Sequence, residues 1–139
     1  MTAVRGVLHD VLIVTCAISA GVHAALAPGH LAEGAGPGAG FVVATLLLGA
    51  LVVLLTCRPA ARVAVAGAGA VLAGLLVSYA LATTTGLPLL HPDAEPVDGL
   101  ALATKAVEAI GLVAALQLLG RGSRSRAAAP AFQPKGRPA

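Results

Sequence analysis

The residues best equipped for chemistry lie in AGVHAALAPGHLAEG (20–34), where His23, His30 and Glu33 sit close together at the end of an apolar run. Imidazole and carboxylate groups suit Zn, Cu, Fe or Ni, and three or four such ligands with a water complete a zinc-type site. A second set occupies GLPLLHPDAEPVDG (86–99), which holds His91, Asp93, Glu95 and Asp98. Lys105 and Glu108 form a third, three residues apart and therefore on one face of a helix. The expected ligand set for a transition-metal ion is His23, His30, Glu33 and Glu108, with His91 a more remote candidate. No tight signature backs it, neither His-x-x-Glu-His nor paired cysteines. The same residues also read as solvated loop charges, an interfacial histidine and a structural Lys–Glu pair.

Composition decides what surrounds these groups. Of 139 residues, 58% are hydrophobic and only 11% charged, and the mean hydropathy is +0.91. A soluble domain carries about 25% charged residues, so this chain has too few to cover a water-facing surface, and an integral membrane protein is expected. The net charge of +3 does not point to nucleic acid, because the basic residues cluster at segment ends without aromatic platforms. Trp is absent and Phe plus Tyr total three, so the usual aromatic belt is nearly missing and Ala and Gly suggest close helix packing. Cys16 and Cys57 are too few and too distant to form a disulfide framework.

A bilayer core of ~30 Å needs about 20 apolar helical residues. Four segments fit, at 7–27, 40–57, 63–82 and 99–119, predicting an all-α, up-down four-helix transmembrane bundle. Pro28, Gly36 and Pro37 punctuate a first loop at 28–39, in which GAGPGAG (34–40) reads as flexible linker because it precedes an apolar span and follows no strand. Pro59 marks the second loop, and the third, 83–98, holds several prolines. The basic tail 120–139 has the composition of a disordered segment. Arg5, Arg58, Arg62, Arg121, Arg124, Arg126, Lys135 and Arg137 fall on one side, and loops 28–39 and 83–98 contain no Lys or Arg. The positive-inside rule then puts both termini in the cytoplasm of a multi-pass plasma-membrane protein. A signal peptide at 1–27 is the rival reading, opposed by Pro28 at the new N-terminus and by His9 and Asp10 inside the apolar core.

Small residues and polar groups mark helix contacts in lipid. Cys16, Ser19 and His23 form one such stripe, and Ala101, Thr104, Glu108, Gly111 and Ala115 another. In the third span Ala66, Ala70 and Gly74 recur every four residues, with Gly67 and Gly69 beside them, and are expected to face inward. Glu108 lies about 13 Å along its helix at 1.5 Å per residue, with Ser19, Thr104 or His23 as expected partners. Asp10 is expected in a first helical turn, complementing the macrodipole.

The pattern His-Ala-Ala-x-Ala-Pro-x-His-x-x-Glu (23–33), with Thr-x-Gly-x-Pro (84–88), Glu-Pro-Val-x-Gly (95–99) and Lys-x-x-Glu (105–108), resembles a family of small four-span integral membrane proteins of high-GC bacteria. The resemblance covers most of residues 10–119 and implies architecture and location; it brings no activity. Gly34-Ala35-Gly36 stand where that family carries bulky aromatics.

The residues leave three functional classes open. One is an accessory or structural subunit of a membrane assembly, with the lipid bilayer, other membrane proteins or further copies as partners. Another is an outer-face module binding a metal or haem-like cofactor for sensing, delivery or transport. An enzyme using His23 and Glu108 as acid and base has least support, since no Gly-x-Ser-x-Gly elbow or phosphate-cradling loop is present.

Overall fold

The computed structural model describes residues 2–86 and 96–127. His91, Asp93 and Glu95 therefore lie outside the described residues. The chain forms four helices, α1 (Thr2–Glu33), α2 (Ala35–Cys57), α3 (Arg62–Thr84) and α4 (Gly99–Ala127), each long and apolar enough to cross a membrane. Helices packed in chain order are adjacent, α1 also lies against α4, and α1 and α3 face each other across the diagonal. The result is an all-α four-helix bundle.

The first connection differs from the expected loop at 28–39. α1 continues through Pro28 to Glu33, and α2 begins at Ala35. One proline removes one ladder bond, and at the end of an apolar span neighbouring groups or water can satisfy the freed carbonyl. Only Gly34 separates the helices, with extended backbone; its N–H donates to the His30 carbonyl at 3.1 Å. Pro37 falls in the first turn of α2, where its missing N–H has no intrahelical partner to lose. Gly38 permits the tight reversal, since a Cβ there would lie 2.6 Å from the Leu31 Cα. GAGPGAG is thus mostly helix. His30 and Glu33, expected in a loop, lie on the last turn of α1.

At the start of α4, Asp98 Oδ1 accepts from the Ala101 N–H at 2.8 Å, a side-chain N-cap. The helix then runs to Ala127, past the boundary expected at 119. α1 starts so early that Asp10 lies well beyond its first turn and is exposed, which removes the macrodipole account of that residue.

Leu12, Cys16, Leu48, Leu55, Ala68, Leu72 and Ala115 are fully buried at the centre. Large apolar side chains such as Leu46, Val53, Val63 and Leu116 cover the outside, as a lipid-facing surface requires. The stripe Cys16-Ser19-His23 is buried, as are Thr104, Glu108, Gly111 and Ala115. α3 breaks the expectation. Its buried face is Ala64, Val65, Ala68, Gly69 and Leu72, while Ala66, Ala70 and Gly74 are exposed. Both faces of α3 are rich in Ala and Gly, so residue size alone could not choose between them. Both cysteines are free thiols.

Candidate functional site

The polar groups inside the bundle meet where α1 and α4 touch. Ser19 and His23 are one turn apart on the buried face of α1, and Glu108 and Lys105 face them from α4. The Ser19 hydroxyl donates to Glu108 Oε1 at 2.7 Å, and Lys105 Nζ donates to Oε2, also at 2.7 Å. Glu108 is 0% exposed, whereas the Lys105 side chain keeps 15% exposure. The carboxylate therefore has a partner on each oxygen, one neutral and one cationic, and the pair carries no net charge. Thr104, an expected partner, instead bonds its own helix, donating to the Leu100 carbonyl at 2.8 Å.

His23 joins through its Nδ1. That nitrogen lies 2.8 Å from the Ser19 carbonyl and 3.4 Å from the Ser19 hydroxyl oxygen. A carbonyl only accepts, so Nδ1 carries the proton, and a neutral ring keeps its lone pair on Nε2. Nε2 makes no hydrogen bond to a described residue. The series His23–Ser19–Glu108–Lys105 thus crosses from α1 to α4 with each donor assigned. It does not activate Ser19 as a nucleophile, because its proton is directed to a carboxylate already paired with an ammonium.

Two aromatic residues frame the series. The Tyr79 ring on α3 lies beneath Lys105 Nζ, 5.6 Å from nitrogen to centroid, a cation–π distance. The Tyr79 hydroxyl is buried and has no hydrogen-bond partner among the described residues. Phe41 on α2 contacts both imidazoles, with ring centroids 5.3 Å from His23 and 4.0 Å from His30. Sequence reasoning missed Phe41. The available signal was scarcity, since the chain has only two Phe and this one stands near the N-terminal end of α2.

The structure therefore joins His23 and Glu108 through Ser19 but does not bring His30 and Glu33 to them. His30 Nδ1 lies 3.2 Å from the Leu26 carbonyl, and Glu33 is exposed at the end of α1. Among the described residues no three His, Cys, Asp or Glu side chains are grouped to hold a metal ion.

No family model, curated protein or solved structure matches the chain. What the cluster does is accordingly read from its own bonds. They tie one helix to another at a fixed depth, and they consume the only buried carboxylate among the described residues.

Proposed function

We propose that this chain is a structural or accessory subunit of a larger plasma-membrane assembly, oriented with both termini in the cytoplasm. The observation that carries the reading is the fate of Glu108. An ionisable group inside a span suggests function by default, yet both oxygens of this one are held by Ser19 and Lys105 of the same chain. The charge sets how α1 and α4 fit together, and a carboxylate that is fully buried and already paired with an ammonium is poorly placed to take up a ligand or a travelling proton. Support for an external partner comes from α3. Ala66, Ala70, Gly74 and Ser78 recur every four residues on its exposed face, and small residues at that spacing let a second helix approach closely, a benefit that lipid does not need. The arginines of one end favour the cytoplasmic side for it.

Cross-linking tests this. A cysteine introduced as Ala70→Cys, with Cys57→Ser removing the exposed native thiol, is expected to form a discrete adduct in native membranes, and Gly74→Leu is expected to abolish it. Migration only as a monomer, with no adduct in membranes, would overturn the proposal. Stoichiometric metal in the purified protein, lost in His23→Ala, would overturn it in favour of cofactor binding.

A further inference from the structure

At the opposite end from the Lys–Glu pair, the first turns of α1, the α2–α3 turn and the end of α4 enclose a crevice of about 20 Å³. Arg5, His9, Pro59, Ala60, Arg62 and Leu119 are among its walls, and none of its described lining residues is acidic. Arg5 is exposed at the mouth. Arg62 opens α3 and is anchored by donation from Nη2 to the Leu119 carbonyl at 3.1 Å. His9 contributes a ring whose Nε2 is buried with no hydrogen-bond partner among the described residues. The start of α3 borders the crevice, since Ala60 and Arg62 are among its walls, and its N-cap Ala61 makes no side-chain cap bond.

These features are complementary to one kind of guest. A buried imidazole nitrogen without a partner is costly unless something bonds it. Two guanidinium groups and the uncapped start of a 23-residue helix make the surroundings electropositive. The volume admits about one water-sized atom, so a small oxyanion enters by a single oxygen while the rest of the molecule stays at the mouth. The candidate spans begin or end there, so in the membrane reading proposed above the crevice lies near the lipid headgroups.

We propose that the crevice binds a phosphate group, carried by an anionic phospholipid of the cytosolic leaflet, with one oxygen on His9 Nε2 and the others facing Arg5 and Arg62. Basic pockets between spans on the cytosolic side are suited to such headgroups. The inference rests on the membrane orientation proposed above.

Native mass spectrometry of the full chain, released from detergent containing phosphatidylglycerol or phosphatidylcholine, provides the test. Wild type is expected to retain phosphatidylglycerol in preference. Arg5→Gln is expected to bind it about fivefold more weakly, and His9→Leu to lose the preference for it, while Arg58→Gln is expected to leave binding unchanged. Arg58 has the same charge at the same end but does not line the crevice. Helicity by circular dichroism must stay at the wild-type value for each variant, and Arg5, being exposed, is the safer substitution. Equal weakening by Arg58→Gln would reveal diffuse charge attraction and overturn the site. Displacement of lipid by millimolar inorganic phosphate would overturn the lipid source. Retention of phosphatidylcholine equal to phosphatidylglycerol would overturn the proposal outright. Reporter fusions that placed the tail outside the cell would refute the orientation alone, since binding in detergent does not depend on it.

Discussion

Replacing Glu108 by Gln keeps an acceptor for the Ser19 hydroxyl but leaves the Lys105 ammonium facing an amide. Replacing Lys105 by Met leaves a carboxylate in a site that is 0% exposed. Removing one member of a buried pair costs about 3–5 kcal/mol in soluble proteins. Here Lys105 retains 15% side-chain exposure and the Tyr79 ring at 5.6 Å, and a lysine can extend toward the interface, so each single replacement is expected to cost about 2 kcal/mol. The double replacement removes both charges and keeps the Ser19 bond, so only a hydrogen bond and some packing are lost, about 1 kcal/mol. The two sites should then be coupled by about 3 kcal/mol, near the upper end for residues in contact. Reversible unfolding in mixed micelles titrated with a denaturing detergent, followed by helical circular dichroism, measures all four corners of the cycle. Coupling below about 0.5 kcal/mol would mean that the pair is held in place by the fold and contributes nothing to it.

Three further outcomes are expected from the packing. Gly111→Ala would drive its new methyl into Thr15 Oγ1 and to within 2.9 Å of Leu72 Cδ1, and should destabilise by about 1–3 kcal/mol in the same titration. Gly21→Ala meets nothing within 4 Å and should stabilise by about 0.5–1 kcal/mol through helix propensity; opposite signs at the two glycines are the measurement that matters. Asp98→Ala deletes the cap on the Ala101 N–H and should fray the start of α4 at a cost of about 1 kcal/mol, seen as faster amide exchange at residues 99–102.

The parts of the site legible in the sequence were those where chemistry and environment conflict. Lys105 and Glu108 stand out in an apolar span because a charge there demands a partner, and the three-residue spacing already supplies it. Cys16, Ser19 and His23 fall on one face at steps of three and four, and that face is buried. Legibility failed where one residue had two physical roles. Pro28 reads as a terminator, but one lost bond is offset by contacts made beyond it, His30 on the Phe41 ring and Leu31 against Gly38, so His30 and Glu33 become helical. Asp98 reads as a potential ligand, although a carboxylate just before an apolar helical run is also an N-cap signature. On α3 the two candidate faces are both made of Ala and Gly. Only the positions of the other helices decide that Ala68 and Leu72 go inside and Ala70 and Gly74 outside.

The location of the Ser19–Glu108 bond follows from how the chain is connected. α1 and α2 are held in register by a single residue, Gly34, and α2 and α3 by the short turn at 58–61. No loop joins α1 to α4, whose residues Ser19 and Glu108 lie 89 positions apart. Slipping α4 by one residue rotates its faces by about 100°, which would carry Glu108 away from Ser19 and toward lipid at a cost of about 2.5–3.5 kcal/mol for a charge at mid-span. An apolar contact would tolerate such a slip better, since it carries no charge to expose to lipid. The buried pair is therefore expected to specify register at a seam that no short turn aligns, beyond any net stability it adds. The Lys105→Met, Glu108→Gln double variant separates the two effects: it should regain most of the stability of the singles yet cross-link across α1 and α4 in more than one register. A single register in that variant would show that packing alone, around Gly111 and Thr15, aligns the helices.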